Sequence, residues 1–239
     1  VVILGNESEI DISIVIPTLN EEKYLPRLLK SIKTQRVTCK IETIIVDSFS
    51  SDKTVDLARQ FDTTVLIVKS NIAEARNIGG LQAKGKFLLF LDADTVIPQG
   101  FLNSLRHLLE SGVKCVIFRP EPLEYAGSLF ARIGYTLGWI LCRLRLTNPC
   151  YMGLAIERGI FSKLGGFNTR LVYSEDLDFL WRVSRAVKIY YPKQISIYSS
   201  TRRWFKNGKL RFSECLRMAL RVLQYMVLRK SGMEYPLYR

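Results

Sequence analysis

Asp92-Ala93-Asp94 places two carboxylates directly after the apolar run Phe87-Leu88-Leu89-Phe90-Leu91. A hard divalent cation such as Mg2+ or Mn2+ takes oxygen ligands, and often only one or two of them are protein carboxylates, substrate phosphates completing the shell. The pair can therefore hold a metal that neutralises a diphosphate as it departs as a leaving group. Taken alone, the same acids also make an ordinary polar strand end leading to the next helix cap.

Other residues have comparable chemistry. Ile12-Ser13-Ile14-Val15-Ile16, closed by Pro17, runs into Thr18-Leu19-Asn20-Glu21, and Ile41 to Val46 runs into Asp47-Ser48. Asp47 or Glu21 serves equally as a hydrogen-bond acceptor for a ligand or as a helix cap. Glu175-Asp176 opens a helical pattern, where a carboxylate can take a proton from an attacking hydroxyl or simply favour the helix N-terminus. Ser200-Thr201-Arg202-Arg203-Trp204 sets two guanidinium groups, suited to bridging a diphosphate, beside an indole suited to stacking on a sugar; a basic surface loop is the plainer reading. His107, the only histidine, falls in the helical run Leu105-Arg106-His107-Leu108, so a surface or packing role is expected for it.

The elements that must position these groups alternate through the first half of the chain. Strands are expected near 12–16, 41–46, 65–68, 86–91 and 113–118, and helices near 25–32, 52–61, 73–83 and 101–109. Near-continuous apolar strands alternating with helices predict a parallel α/β sheet covered on both faces. Ligands of such sheets bind at the carboxyl ends of the strands. The polar groups at 18–21, 47–48 and 92–94 all lie at such ends, on one edge of one sheet.

Composition sets the bounds. Of 239 residues, 48% are hydrophobic, enough for a sizeable core. Five dispersed cysteines without a Cys-x-x-Cys pair argue against a zinc site or a disulfide framework. The net charge of +13 attracts polyanions. Between Arg202 and Arg239, ten Lys or Arg face only Glu214 and Glu234. No basic–aromatic interleaving typical of an RNA-binding module appears, so nucleic acid is not the expected partner. The longest uncharged apolar run, Ile133 to Cys142, is about half the ~20 residues a bilayer span needs.

Several motifs occur together in order: Ile-Pro-Thr-Leu-Asn-Glu (16–21), Ile-Val-Asp-Ser-Phe-Ser-Ser-Asp-Lys-Thr (45–54), Ala-Arg-Asn-Ile-Gly (75–79), Ala-Lys-Gly-Lys (83–86), Asp92-Ala93-Asp94 and Gly-Gly-Phe…Glu-Asp (165–176). Over roughly residues 10 to 204 this succession resembles an inverting family-2 glycosyltransferase of the GT-A fold, among small single-transfer members with an Arg-Arg-Trp element. The resemblance implies a Rossmann-like, mostly parallel central sheet flanked by helices. It implies a nucleotide-sugar donor carrying UDP or GDP and a Mn2+ or Mg2+ cofactor. Pro17, Thr18, Glu21, Asp47, Arg76, Asp92, Ala93 and Asp94 would bind the donor, with Asp47 at the base, Arg76 at the base or diphosphate, and Asp94 with Asp92 at the metal. Asp176 would be the general base with Glu175 beside it. Arg202, Arg203 and Trp204 would face the acceptor or the diphosphate. Two departures stand out: the family usually has adjacent aspartates where this chain has Asp47-Ser48, and Phe49 stands where glycine is common.

The expected organisation is a catalytic domain over 1–210, with a donor half at about 10–120 and an acceptor half at about 121–210, followed by a basic amphipathic helix over 211–239. That helix, with the apolar, arginine-bearing segment Gly127 to Leu146, suits the anionic face of a membrane. The protein is thus expected to be cytoplasmic and peripheral at the membrane, with a polyprenyl or other lipid-linked acceptor; a span outside these residues and a homodimer both stay open. The rival readings are a nucleotidyltransferase of similar fold and a non-catalytic membrane-binding relative.

Overall fold

The β-branched run at the start of the sheet becomes β1 (Ile12–Thr18), buried at every position. The computed structural model that shows this describes residues 11–124, 153–171, 174–202, 205, 206, 209–214, 216, 217 and 220, with 129, 132, 133, 135, 136 and 140 in the intervening stretch. Around β1 lie β2 (Ile41–Asp47), β3 (Thr64–Ile67) and β4 (Phe87–Leu91), followed in the chain by β5 (Thr95–Val96), β6 (Cys115–Ile117), β7 (Arg119–Pro122), β8 (Gly153–Glu157) and β9 (Ser196–Ser199). A small antiparallel pair, β10 (Phe205–Lys206) and β11 (Lys209–Leu210), comes last.

The main sheet has the order β3-β2-β1-β4-β8-β6. Its first four strands are parallel, whereas β8 runs antiparallel to both β4 and β6. The expected fifth strand therefore forms, but a strand from far along the chain separates it from β4. Hydrophobic periodicity cannot report that insertion, because it says nothing about which strands pair. A second sheet, β5-β9-β7, sits beside the first.

Strand alternation sends Ile12, Ile14 and Ile16 to one face and Val15 to the other. The first face is covered by α1 (Leu25–Lys33), through Leu25, Leu28, Leu29 and Ile32, and by α4 (Phe101–Glu110), through Phe101, Leu102, Leu105 and Leu109. The second face is covered by α3 (Ile72–Gln82), α5 (Arg158–Lys163) and α6 (Glu175–Ala186), with Phe90, Phe161, Phe167 and Phe179 in ring contact. Each fully buried Leu, Ile or Phe here contributes roughly 1.5–3 kcal/mol, so both layers are firmly seated. Helix α3 sits so close to β1 that a Cβ on Gly79 would overlap Val15 Cγ1.

The remaining helix, α2 (Thr54–Ala58), is shorter than the expected 52–61. Asp52 turns back to accept the Thr54 N–H at 3.0 Å and the Glu22 N–H at 3.2 Å, which holds it outside the helix. Helical backbone occurs at 212–214, 216, 217 and 220, but the rest of the expected C-terminal helix and most of the segment from Gly127 to Leu146 lie outside the described residues. Among the described residues, no helix is long and apolar enough to cross a membrane.

Candidate active site

Parallel register brings the first strand ends together. Thr18 and Asp47 are direct partners at the ends of β1 and β2, and Pro17 pairs with Val46 just behind them. Asp47 is wholly buried. Its carboxylate accepts from Thr18 Oγ1 at 2.8 Å, from the Ser50 N–H at 2.8 Å and from Ser50 Oγ at 2.6 Å. Ser50 Oγ in turn accepts the Asn20 N–H at 2.8 Å, and Glu21 N–H donates to Thr54 Oγ1 at 2.7 Å. Asp47 thus organises the two loops, with three of its roughly four acceptor positions taken by Thr18 and Ser50.

The 75–79 motif places two residues for two tasks, on a helix whose start is fixed just before it. Helix α3 starts with a capping box, Asn71 accepting the Glu74 N–H while Glu74 accepts the Asn71 N–H, which fixes the helix end. One turn on, buried Arg76 donates from Nη2 to Asp92 Oδ1 and from Nη1 to Glu175 Oε1, both at 2.9 Å. Asn77 clasps the Phe167 backbone, donating to its carbonyl and accepting its N–H, each at 2.8 Å. That clasp needs Gly166, at φ 67° and with no space for a Cβ against Asn77 Oδ1. Phe167 then lies under the Arg76 guanidinium, 5.3 Å from its ring centroid. Arg76 is therefore a buried cation that joins two parts of the site.

A second arginine binds the other aspartate. Strand β5 continues from Asp94 and pairs with β9, and the Ser200 N–H donates to the Asp94 carbonyl at 3.0 Å. This delivers Arg202 to the site. Its Nε donates to Asp94 Oδ2 at 2.9 Å and its Nη2 to Glu21 Oε1 at 2.6 Å, while its guanidinium lies 4.2 Å from the centroid of Tyr24. Hydrogen bonding to Glu21 and the charges of Asp94 and Glu21 hold its pKa above the ordinary arginine range against its own burial. Ala93 is buried between the two aspartates. Arg203 and Trp204 lie outside the described residues.

Asp176 stands at the start of α6, after Ser174 at φ 64°. It is half-buried and accepts the Leu177 N–H at 2.8 Å. Loss of solvent, then the negative charge of Glu175, pushes its pKa up from 3.8 to about 7, Asp92 adding to the rise and Arg76 opposing it. Glu175 is buried against Arg76, so the two adjacent acids have different settings: one is neutralised by a cation and the other is poised to hold or release a proton near neutrality.

A hard cation fits the donor set. Asp92 and Asp94 offer only oxygen, and across Arg202 from Asp94 the Glu21 Oε2 is buried without a hydrogen-bond partner, an orphaned acceptor that costs roughly 1–3 kcal/mol. Among the described residues no group of three or more His, Cys, Asp or Glu is arranged to hold a metal. Two carboxylates with phosphate oxygens supplying the rest is the pattern of such ions in nucleotide sites. His107 is exposed on α4, near Glu110.

A family model described as Glycosyl transferase family 2 matches residues 13–163. The chain belongs to this family. It is 30% identical over 181 residues to an uncharacterized glycosyltransferase of Haemophilus influenzae, covering 72% of this chain and 61% of that one. It therefore spans less than two thirds of that relative's length. Among solved structures it resembles the mannosyltransferase PcManGT from Pyrobaculum calidifontis in complex with GDP-Man and Mn2+, with a TM-score of 0.70 at 19% identity over 96% of this chain and 67% of that one. It also resembles residues 1-349 of S. aureus TarS in complex with UDP-GlcNAc, with a TM-score of 0.66 at 20% identity over 92% of this chain and 67% of that one. The fold is that of the GT-A family-2 enzymes, as the motifs implied.

Tyr24, Ser50 and Asn77 are site-building residues that motif reading passed over. Ser50 and Asn77 lie inside quoted motifs, and serine and asparagine side chains commonly bond to backbone groups. Tyr24 had no such signal.

Proposed function

We propose that the protein transfers a sugar from a UDP- or GDP-sugar to an acceptor with inversion at the anomeric carbon. The observation that carries this reading is the buried Arg76, which ties Asp92 on the donor side to Glu175 and thereby sets Asp176 beside the donor site. Asp94 and Asp92 would hold the Mn2+ or Mg2+; bound there, the ion supplies positive charge to the leaving diphosphate. Arg202, now shared by Asp94 and Glu21, supplies a second positive group that can turn to the phosphates. The acceptor hydroxyl attacks the anomeric carbon from the face opposite the diphosphate, the glycosidic carbon–oxygen bond to phosphate breaks, and the hydroxyl proton passes to Asp176. Glu175 holds the helix start in place and does not itself take the proton. An acceptor that is an ionised phosphate needs no base, and Asp176 then positions it.

The acceptor is read as lipid-linked, a polyprenyl phosphate or similar, presented at an anionic membrane face. Supporting this, Leu129, Ile133 and Ile140, and Phe212, Leu216 and Leu220, are exposed at near-helical spacing within the basic half of the chain. The test incubates the protein with UDP- and GDP-sugars, Mn2+ and anionic vesicles and identifies the nucleotide released. Nucleoside diphosphate is the expected product. Release of pyrophosphate from a nucleoside triphosphate would instead favour a nucleotidyltransferase, and vesicle binding without any turnover would favour a non-catalytic relative.

A further inference from the structure

Phe49 has a backbone conformation that its side chain disfavours. Its φ is 62°, in the left-handed region where a Cβ crowds the backbone and which a bulky aromatic residue rarely adopts. Its ring is nevertheless not buried: the residue is 64% exposed. The surrounding loop enforces this from both sides. Ser48 donates its N–H to the Thr18 carbonyl at 2.9 Å and its Oγ lies 3.0 Å from Ser70 Oγ, while Ser50 is bound to Asp47 through both its N–H and its hydroxyl. Backbone strain that the neighbourhood over-determines clusters at ligand sites, and here it holds an apolar ring in water.

Position identifies the ligand. Strand order places the end of β2 two strands away from the end of β4, about 10 Å along the same carboxyl edge at ordinary strand spacing. A diphosphate at Asp92 and Asp94 would therefore direct its nucleoside toward the ends of β1 and β2. There the Asp47 carboxylate is buried and already accepts three hydrogen bonds. Beside exposed polar residues such as Asn20, Ser51 and Lys69, the edge holds three exposed apolar groups, Leu19, Phe49 and Val68, each just beyond the ends of β1, β2 and β3.

We propose that Phe49 is the platform on which the nucleobase of the donor stacks, so that this chain grips the base by its face above the buried Asp47. This rests on the nucleotide-sugar reading above. Stacking accepts any base, because every base has a π-face. Phe49 therefore strengthens binding of UDP and GDP alike and has no part in binding a diphosphate that lacks a nucleoside.

The test measures binding of UDP, GDP and inorganic pyrophosphate by calorimetry, with Mn2+ present, to the wild type and to Phe49→Ala, Phe49→Tyr and Phe49→Gly, and records each melting temperature. Phe49→Ala is expected to weaken UDP and GDP by roughly ten-fold or more, with Phe49→Tyr close to wild type. Pyrophosphate binding is expected to be unchanged throughout. Phe49→Gly is expected to melt above Phe49→Ala, because glycine adopts the positive φ without strain, while binding nucleotide no better. Unchanged nucleotide affinity in Phe49→Ala, or an equal loss of pyrophosphate binding, overturns the stacking role while leaving the transferase reading intact. A wild type that binds neither UDP nor GDP overturns both.

Discussion

Arg76 and Glu175, 99 residues apart in the chain, meet at 2.9 Å with both side chains almost wholly removed from solvent. The same guanidinium holds Asp92, so one cation fastens the end of β4 to the start of α6. Replacing Arg76 by Met leaves two carboxylates, one of them buried, without their counter-ion. The expected loss is about 3–5 kcal/mol of unfolding free energy, the range for breaking a buried pair on one side. Denaturant unfolding of Arg76→Met and Arg76→Lys measures it, with Lys expected to recover part of the loss. A difference below about 1 kcal/mol, typical of surface pairs, would mean the bridge does not hold the site together.

The elevated pKa of Asp176 makes a signed pH prediction. A base must be ionised, so transfer to a hydroxyl acceptor is expected to rise with pH through about 7 and then level off. Glu175 is a leading cause of the rise, so Glu175→Gln is expected to move that limb to lower pH. Stability follows the opposite course. The folded state favours protonated Asp176, so its contribution is complete below 3.8 and is lost as pH rises through about 7. Rate profiles of the wild type and Glu175→Gln test this, and an unmoved limb would show that the titrating group is not Asp176.

Arg202 separates stability from ligand binding. It is partly exposed where it meets Asp94 and Glu21, so Arg202→Ala is expected to cost at most about 1 kcal/mol of stability. Without its guanidinium, Asp94 and Glu21 lose a competing cation. Mn2+ binding to the free protein, followed by the spin-resonance signal of the unbound ion, is therefore expected to strengthen, while affinity for the nucleoside diphosphate falls. Weaker Mn2+ binding in Arg202→Ala would mean that the arginine supports the metal site and does not compete with it.

What could be read from the chain alone follows from the range of the interactions. Thr18, Asp47 and Asp92 were visible as one group because each follows an apolar run, and parallel strands align their ends. Glu175 looked like a companion to Asp176; its partnership with Arg76 depends on how α6 packs against α3 through Phe167 and Asn77, which no local pattern encodes. The place of β8 between β4 and β6 was hidden for the same reason, since periodicity marks a strand without naming its neighbour. Phe49 was visible only as a departure where glycine is common. Its positive φ is a conformation that glycine adopts without strain and that no local sequence pattern announces for a phenylalanine.

The most direct test of the central claim is donor affinity in Asp176→Asn. If Asp94, Asp92 and the β1–β2 loops form the donor site and Asp176 acts only on the acceptor, calorimetry should give a UDP- or GDP-sugar affinity in Mn2+ matching that of the wild type. Transfer to a hydroxyl acceptor should meanwhile fall by about 10²–10⁴-fold. Loss of donor affinity in Asp176→Asn, in a protein that still melts like the wild type, would contradict the separation of donor and base on which the account depends.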